Sequence, residues 1–354
     1  MSERRIANVI GLGLIGGSIA LALKRSGFEV SGSDSAEGIA ADALGRKVID
    51  RIGVDESAEI TFVATPVNTV PQSVRRALEI TAGVVTDVGS VKANAAGFAS
   101  DPRYVPGHPM AGSELHGLDG ADASMFEAAV WVLTPTAATS DSAFNLVAET
   151  VTRFGAEVVA LQPAQHDDLV AMVSHVPHLT AATLMGLADE RSEEHLSLLR
   201  LAAGGFRDMT RIASGSPAIW LDICEQNRDA ILRGLDGLIS GLSEMRDVVD
   251  RSDRDALFER LERARVARMN LPVRAGAIEN LAEMRIPIPD RPGSAAEVFA
   301  LSGELGVNIQ DFEVVHSVEG DRGIMVLVVR ADHVDMFRGG LLARGFRPAI
   351  QKLS

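Results

Sequence analysis

The chain has 354 residues, too many for one ordinary core, so two or three domains are expected. Apolar residues make up 46% and charged residues 23%, as in globular proteins, and a net charge of −14 argues against a nucleic-acid partner, which needs a basic face. The single cysteine, Cys224, excludes an internal disulfide and a cysteine-built metal cage. No apolar run reads as a membrane span and no secretory h-region follows Met1, so the expected location is the cytoplasm. In so acidic a chain, an anionic substrate would need a local cluster of arginine or histidine.

The first third alternates strand and helix. "RIANVIGLG", "FEVSGSD", "EITFVATP", "GVVTDVGS", "AVWVLTP" and "AEVVAL" are short β-rich runs separated by helix-length segments, which predicts a parallel sheet with helices on both faces. In "LIGGSIALALKRSG" the residues Ile15, Ile19 and Leu23 recur at helical spacing, and Gly27 marks the stop. Gly11, Gly13 and Gly16 form G-x-G-x-x-G at the strand-to-helix turn, where glycine lets backbone approach a pyrophosphate and the helix start supplies N–H groups. Asp34 ends the second strand, placed to accept hydrogen bonds from ribose hydroxyls and to repel a 2′-phosphate. Ser35, Ala36 and Glu37 offer no arginine to hold one, so NAD is favoured over NADP.

From residue 163 the strand patterns give way to long amphipathic helices. Ile231, Leu235, Leu238, Leu242, Met245 and Val249 form a heptad-like seam that faces another helix, either within an intramolecular bundle or across a homodimer interface. Residues 282–354 then read strand, helix, strand, strand, helix, strand, with a hairpin turn at Glu319-Gly320-Asp321, the order of a ferredoxin-like module. The expected architecture is thus α/β: a Rossmann-type doubly wound sheet over 1–162, an all-helical domain over 163–281, and the ferredoxin-like module over 282–354.

Four histidines stand in polar company: His108 in "VPGHPMAGSELHG" (105–117), His166 in "QHDD", and His175 and His178 in "SHVPH". His166 reads first as a structural residue, since Asp167 and Asp168 look like a helix start. Pro177 interrupts the His175/His178 pair and no H-E-x-x-H pattern is present, so no metal is expected. "GGFRDMTRIA" adds Arg207, Asp208 and Arg211, with Trp220 downstream. Together these groups suit a doubly charged acid facing a nicotinamide, with loops 89–92 and 106–114 at the carboxyl ends of the strands.

Taken in order, "GLGLIGGS", "ATPV", "TDVGSVK", "GHPMAGSE", "HD" at 166–167, "SHVPH" and "GFRDMTRIA" resemble the prephenate dehydrogenase family, in its form with an appended ACT domain, over essentially the whole chain. The resemblance implies NAD-dependent oxidative decarboxylation of prephenate. It makes His108 the acceptor of the substrate hydroxyl proton and Ser90 its hydrogen-bonding partner, although Ser90 also reads as a helix N-cap. Arg211 would hold a substrate carboxylate, His178 would stand on the substrate side, Asp208 would orient cationic neighbours, and Glu114 would lie at the mouth of the site. Gly11, Gly13, Leu14, Ile15, Gly16, Asp34, Thr65 and Pro66 would line the cofactor. Trp220 reads as packing near the pocket, and Arg207 and His175 receive no role. In the ACT-like module, Asp290, Arg291, Gly293 and Asn308 would bind an effector such as tyrosine, unless the module is a dimerisation element alone.

Two rivals remain in the sequence. Relatives acting on arogenate share nearly all these motifs. A dinucleotide fold joined to an amino-acid sensor could also be non-catalytic. A hydroxyacid dehydrogenase is a poorer match, because it would want a lysine after "SHVPH", and Lys92 is the last lysine before Lys352.

Overall fold

Ile6–Ile10, an uncharged run with its middle three residues buried, forms strand β1. Beside it lie β2 (Glu29–Ser33), β3 (Arg51–Ile52), β4 (Ile60–Val63), β5 (Val84–Asp87) and β6 (Tyr104–Val105), all parallel in the order β3-β2-β1-β4-β5-β6. The computed structural model describes residues 5–92, 100–112, 115–194, 201–270, 281–289, 291, 293–316 and 322–353. It divides into two units, Met1–Arg263 and Ala264–Ser354. In the first unit the chain leaves β1 on one side for β2 and comes back on the other for β4, so the turns after β1 and β4 diverge and open a crevice at their carboxyl ends. Helix α1 (Leu14–Arg25) buries Ile19, Ala20, Ala22 and Leu23, in one core with Val9, Val30 and Phe62. Helices α2 (Ile39–Gly45), α3 (Val70–Ile80) and α4 (Asp141–Arg153) complete the sheet layers, α4 starting where Ser140 accepts the Ala143 N–H.

The structure corrects the single-sheet expectation. Two of the six expected strands, β8 (Val130–Leu133) and β9 (Glu157–Ala160), belong to a separate three-stranded sheet with β7 (Gly107–Pro109). Trp131 of β8 meets Phe62 of the main sheet edge-on at 6.2 Å and also packs on Phe126 and Phe154, so an aromatic cluster joins the two sheets. A second correction follows: His108 lies on a strand rather than in a loop. β7 runs antiparallel to β8 with His108 opposite Val132. Pro109 is admissible there because β7 is an edge strand, where the missing N–H breaks no ladder. The neighbouring backbone closes the pairing, Met110 N–H donating to the Val130 carbonyl (2.8 Å) and Thr134 N–H to that of Pro106 (2.9 Å).

The helical half begins with α5 (Pro163–Val170), which runs through a π-turn (Ala171–His175) into α6 (Val176–Glu194). Pro177 has no N–H to give the turn before it, and a locally widened turn is one way a helix accommodates that loss. Joined in this way, Pro163–Arg191 is a helical run long and apolar enough to cross a membrane, contrary to the reading of the sequence, and a third of its most apolar window (33%) is buried inside the chain. The two prolines and the histidines hide its continuity in the sequence. Then come α7 (Gly204–Thr210), α8 (Pro217–Gln226), α9 (Arg228–Asp250) and α10 (Arg254–Met269). The expected seam lies on α9. Its start faces the chain's own helices, where Ile231 clusters with Ala171 and Ile223, whereas Leu242 and Val249 are each 58% exposed.

In the second unit, β10 (Leu281–Pro289), β11 (Ile309–His316), β12 (Arg322–Arg330) and β13 (Ala349–Leu353) form an antiparallel sheet in the order β11-β12-β10-β13. Helices α11 (Ser294–Glu304) and α12 (Val334–Ala343) bury Val298, Leu301, Phe337 and Leu341 against Met284, Ile286, Met325 and Leu327. This is the β-α-β-β-α-β order expected from the sequence. The turn expected at Glu319-Gly320-Asp321 lies outside the described residues.

Candidate active site

The three glycines of the first turn have three different reasons to be glycine. Gly11 has φ +93°, and a Cβ there would stand 2.5 Å from the Ala64 carbonyl oxygen. A Cβ on Gly16 would come within 1.8 Å of the Gly11 carbonyl oxygen, so helix and strand close on each other only without it. Gly13 has an ordinary φ of −77° and nothing within 4 Å of its would-be Cβ. It is the N-cap of α1, so open space lies where N–H groups and the positive helix end converge, which is what a pyrophosphate requires. Leu14 and Ile15 open that helix, and Thr65 and Pro66 form the turn after β4 across the crevice. Asp34 accepts the Leu12 N–H (2.7 Å) on one oxygen and the Ala36 N–H (2.8 Å) on the other. Each oxygen keeps a lone pair for a ribose hydroxyl. These residues fit a bound dinucleotide.

A second group of residues converges beyond β5. Asp87 and Lys92 form a fully buried ion pair, and Asp87 also accepts the Tyr104 hydroxyl (2.8 Å) and the Gly89 N–H (2.9 Å). Lys92 Nζ donates to the Gly107 carbonyl (2.7 Å), while its backbone N–H donates to Asp167 Oδ1 (2.8 Å). A buried pair is tolerated when its remaining valences are filled in this way. Here it ties the turn that carries Ser90 to the strand that carries His108. Burial and the Asp87 charge hold the Tyr104 phenol well above its usual range, so it stays a donor.

His108, half-buried on β7, places Nδ1 2.9 Å from His166 Nε2, and His166 Nδ1 lies 2.7 Å from Asp167 Oδ1. Asn227 Nδ2 donates to the Asp167 backbone carbonyl (2.9 Å) and to His175 Nδ1 (3.2 Å), pinning α5 to α9. Burial, reinforced by His166, Lys92 and His175, holds the His108 imidazole well below its ordinary value. Burial likewise pushes His175 down to about 4, against the pull of Asp167, and lowers His178. His108, His175 and His178 are therefore uncharged at neutral pH.

His178 stacks on Trp220 with ring centroids 3.5 Å apart, so the tryptophan read as packing lies against a candidate substrate-side histidine. The turn Arg211–Ser214 runs into Gly215, where a Cβ would stand 3.4 Å from His178 Cε1. Arg211 and Asp208 are exposed. Glu114 lies outside the described residues, as does Asp290. Arg291 (paired with Glu297), Gly293 (φ +93°) and the exposed Asn308 lie in the second unit. Sequence reasoning gave no role to Asp87, Lys92, Tyr104 and Asn227; His166, read as structural at a helix start, lies buried in the first turn of α5 and also meets His108. The first two had a signal, an acid and a lysine inside the otherwise small and apolar "TDVGSVK"; Asn227 had none.

Residues 19–160 match the model of the prephenate dehydrogenase nucleotide-binding domain, and residues 162–263 match that of the prephenate dehydrogenase dimerization domain. The chain is 35% identical over 342 residues to a prephenate dehydrogenase of Bacillus subtilis (strain 168), covering 91% of each chain. This chain belongs to the prephenate dehydrogenase family. Among solved structures, that of prephenate dehydrogenase from Aquifex aeolicus with hydroxyphenyl propionate and NAD+ is similar at a TM-score of 0.70 and 28% identity, over 76% of this chain and 99% of that one. A cyclohexadienyl dehydrogenase of Zymomonas mobilis is 33% identical, over 74% of this chain and 94% of its own. As a prephenate dehydrogenase family member with the family's nucleotide-binding domain, the chain is an NAD-dependent dehydrogenase.

Proposed function

We propose that this enzyme converts prephenate to 4-hydroxyphenylpyruvate, with His108 as the group that takes the proton of the ring hydroxyl. NAD, when bound, supplies the hydride acceptor. As C4 gives up hydride, the hydroxyl proton passes to the unprotonated nitrogen of His108. The bond from C1 to its carboxylate breaks, carbon dioxide leaves, the electron pair completes the aromatic ring, and the oxygen on C4 takes the proton back from His108 to give the phenol. Aromatisation supplies the driving force, so the protein mainly orients the ring and relieves the hydroxyl of its proton. Ser90 shares the hydroxyl hydrogen bond, Arg211 holds a substrate carboxylate through its planar fork, and His178 bounds the ring from the Trp220 side. Asp208 orients the cations and Glu114 lies at the entrance.

The observation that carries this reading is an uncharged imidazole on a strand edge, held by buried partners and half open to solvent. The test is NADH formation from NAD and prephenate, with carbon dioxide release measured alongside. NADH from arogenate and none from prephenate would move the substrate to arogenate, a reading that the cyclohexadienyl dehydrogenase relative also fits.

The chain further works as a homodimer in the cytoplasm. Support for the dimer comes from the match to a dimerization domain and from the exposed Leu242 and Val249 of the α9 seam. Leu242→Asp should shift the sedimentation coefficient toward that of a monomer. Residues 282–354 act as an ACT domain that senses tyrosine, a reading supported by their strand order and tested by tyrosine titration of the activity.

A further inference from the structure

Three side chains run in line from the proposed acceptor to a carboxylate: His108 Nδ1 to His166 Nε2 at 2.9 Å, then His166 Nδ1 to Asp167 Oδ1 at 2.7 Å. A carboxylate only accepts, and the same Asp167 oxygen already accepts the Lys92 N–H, which suits it to that role. His166 therefore carries its proton on Nδ1 when it is neutral, leaving a lone pair on Nε2. Facing that lone pair, His108 has to donate from its own Nδ1. Its Nε2 is then bare, the state required of a group that accepts a proton.

We infer that Asp167, acting through His166, is a positioning residue that locks His108 as the Nδ1–H tautomer and keeps Nε2 unprotonated for the substrate hydroxyl. The inference rests on His108 being the acceptor. Either alternative protonation, a proton on Asp167 or a cationic His166, makes His166 Nε2 a donor and forces the His108 proton onto Nε2, so the logic has two exclusive outcomes. The arrangement also receives charge. Once His108 has gained a proton on Nε2, its Nδ1 proton lies on the path to His166 Nε2, bringing the positive charge one ring nearer Asp167. The other charged or titratable groups facing His108 are Lys92, whose ammonium is engaged by Asp87 and the Gly107 carbonyl, and His175, which is neutral. Asp167 is thus the carboxylate at the end of this line.

The test is the nitrogen-15 spectrum of the histidine side chains in the full-length protein, with His108→Asn used to assign the signals. At neutral pH, His108 should show a protonated Nδ1 and a bare Nε2. A proton on Nε2, or on both nitrogens, overturns the inference without touching the acceptor role, which fails instead if His108→Asn keeps its turnover. Asp167→Asn supplies the second arm. Its amide can donate to His166 Nδ1 and reverse every bond in the line, and the equivalent exchange in serine protease triads lowers turnover about 10⁴-fold. Here a fall of at least about 10²-fold in kcat is expected, with prephenate KM nearly unchanged and the His108 proton moved to Nε2. A loss of kcat without that shift would mean that Asp167 acts through packing alone. Should the variant fail to fold, the wild-type spectrum still decides.

Discussion

The two sides of the crevice are finished to different degrees within a single chain. On the cofactor side every element comes from the first 66 residues, and of the glycines Gly11, Gly13 and Gly16 only Gly13 has open space where a Cβ would stand. On the proposed substrate side Trp220 stacks on His178, but Arg211, proposed to hold the anion, is exposed. Arg211 and Asp208 stand at the surface beside Met209 (61% exposed) and upstream of Leu221 (73%). Covering such side chains is worth about 1.5–3 kcal/mol each. A dinucleotide site can be a property of one βαβ unit, whereas the proposed substrate site draws on helices that keep Met209 and Leu221 exposed.

If the two sides are separable in this sense, substitutions should sort cleanly between them. The largest effect is expected for His108→Asn, which keeps the strand but removes the proposed proton acceptor. Turnover should fall about 10²–10⁴-fold while NAD affinity, measured by fluorescence titration, stays within a factor of two. Activity within a few-fold of wild type would remove His108 from the chemistry. Next comes Arg211→Ala. Charge-assisted hydrogen bonds are worth about 1.5–3 kcal/mol, so prephenate KM should rise about 10–100-fold. A change confined to NAD affinity would put Arg211 on the wrong side of the crevice.

How much of this was written in the sequence differs between the same two sides. Strands β1, β2, β4 and β5 and the glycine turn depend on local periodicity and on residues a few positions apart, so they were legible, as was the strand order of the second unit. His108 was legible as a special residue but not as a strand residue. Its strand has only three members, two of them Gly107 and Pro109, which ordinarily mark a break, and its pairing partner lies more than twenty residues downstream. The Asp87–Lys92 pair went unseen because charge in a sequence reads as surface, and only three-dimensional packing shows that both groups are buried with their valences filled. His166 looked like the start of a helix because its partner is 58 residues away. The α9 seam announced a partner helix, but periodicity carries no information on whose helix that is.

Two glycine substitutions sharpen the cofactor side. Gly16→Ala should destabilise the fold outright, since its methyl would meet the Gly11 carbonyl oxygen at 1.8 Å. Gly13→Ala should leave the melting temperature nearly unchanged, because its φ suits alanine and nothing in the chain lies within 4 Å of the added methyl. That methyl would instead occupy the open place at the helix start and raise NAD KM, on the order of tenfold (about 1.4 kcal/mol). Equal loss of stability in both variants would mean that the space at Gly13 is not reserved for a ligand.

The smallest effect concerns the pin between α5 and α9 within the helical half and is read through acid stability. Asn227 Nδ2 donates to both the Asp167 carbonyl and His175 Nδ1, so His175 accepts there and is held neutral. Its pKa is about 4 in the fold against an ordinary 6.5, so the unfolded chain takes up the proton first as pH falls. The stability tied to this neutral imidazole is therefore complete above about pH 6.5 and erodes between 6.5 and about 4. Below that range both states are protonated and the loss from this residue stops. Urea midpoints measured across the window should fall with decreasing pH in the wild type and fall less steeply in His175→Gln, whose side chain can still accept from Asn227. Identical slopes would show that His175 is not held neutral by its contacts, and that the pin between α5 and α9 lies elsewhere.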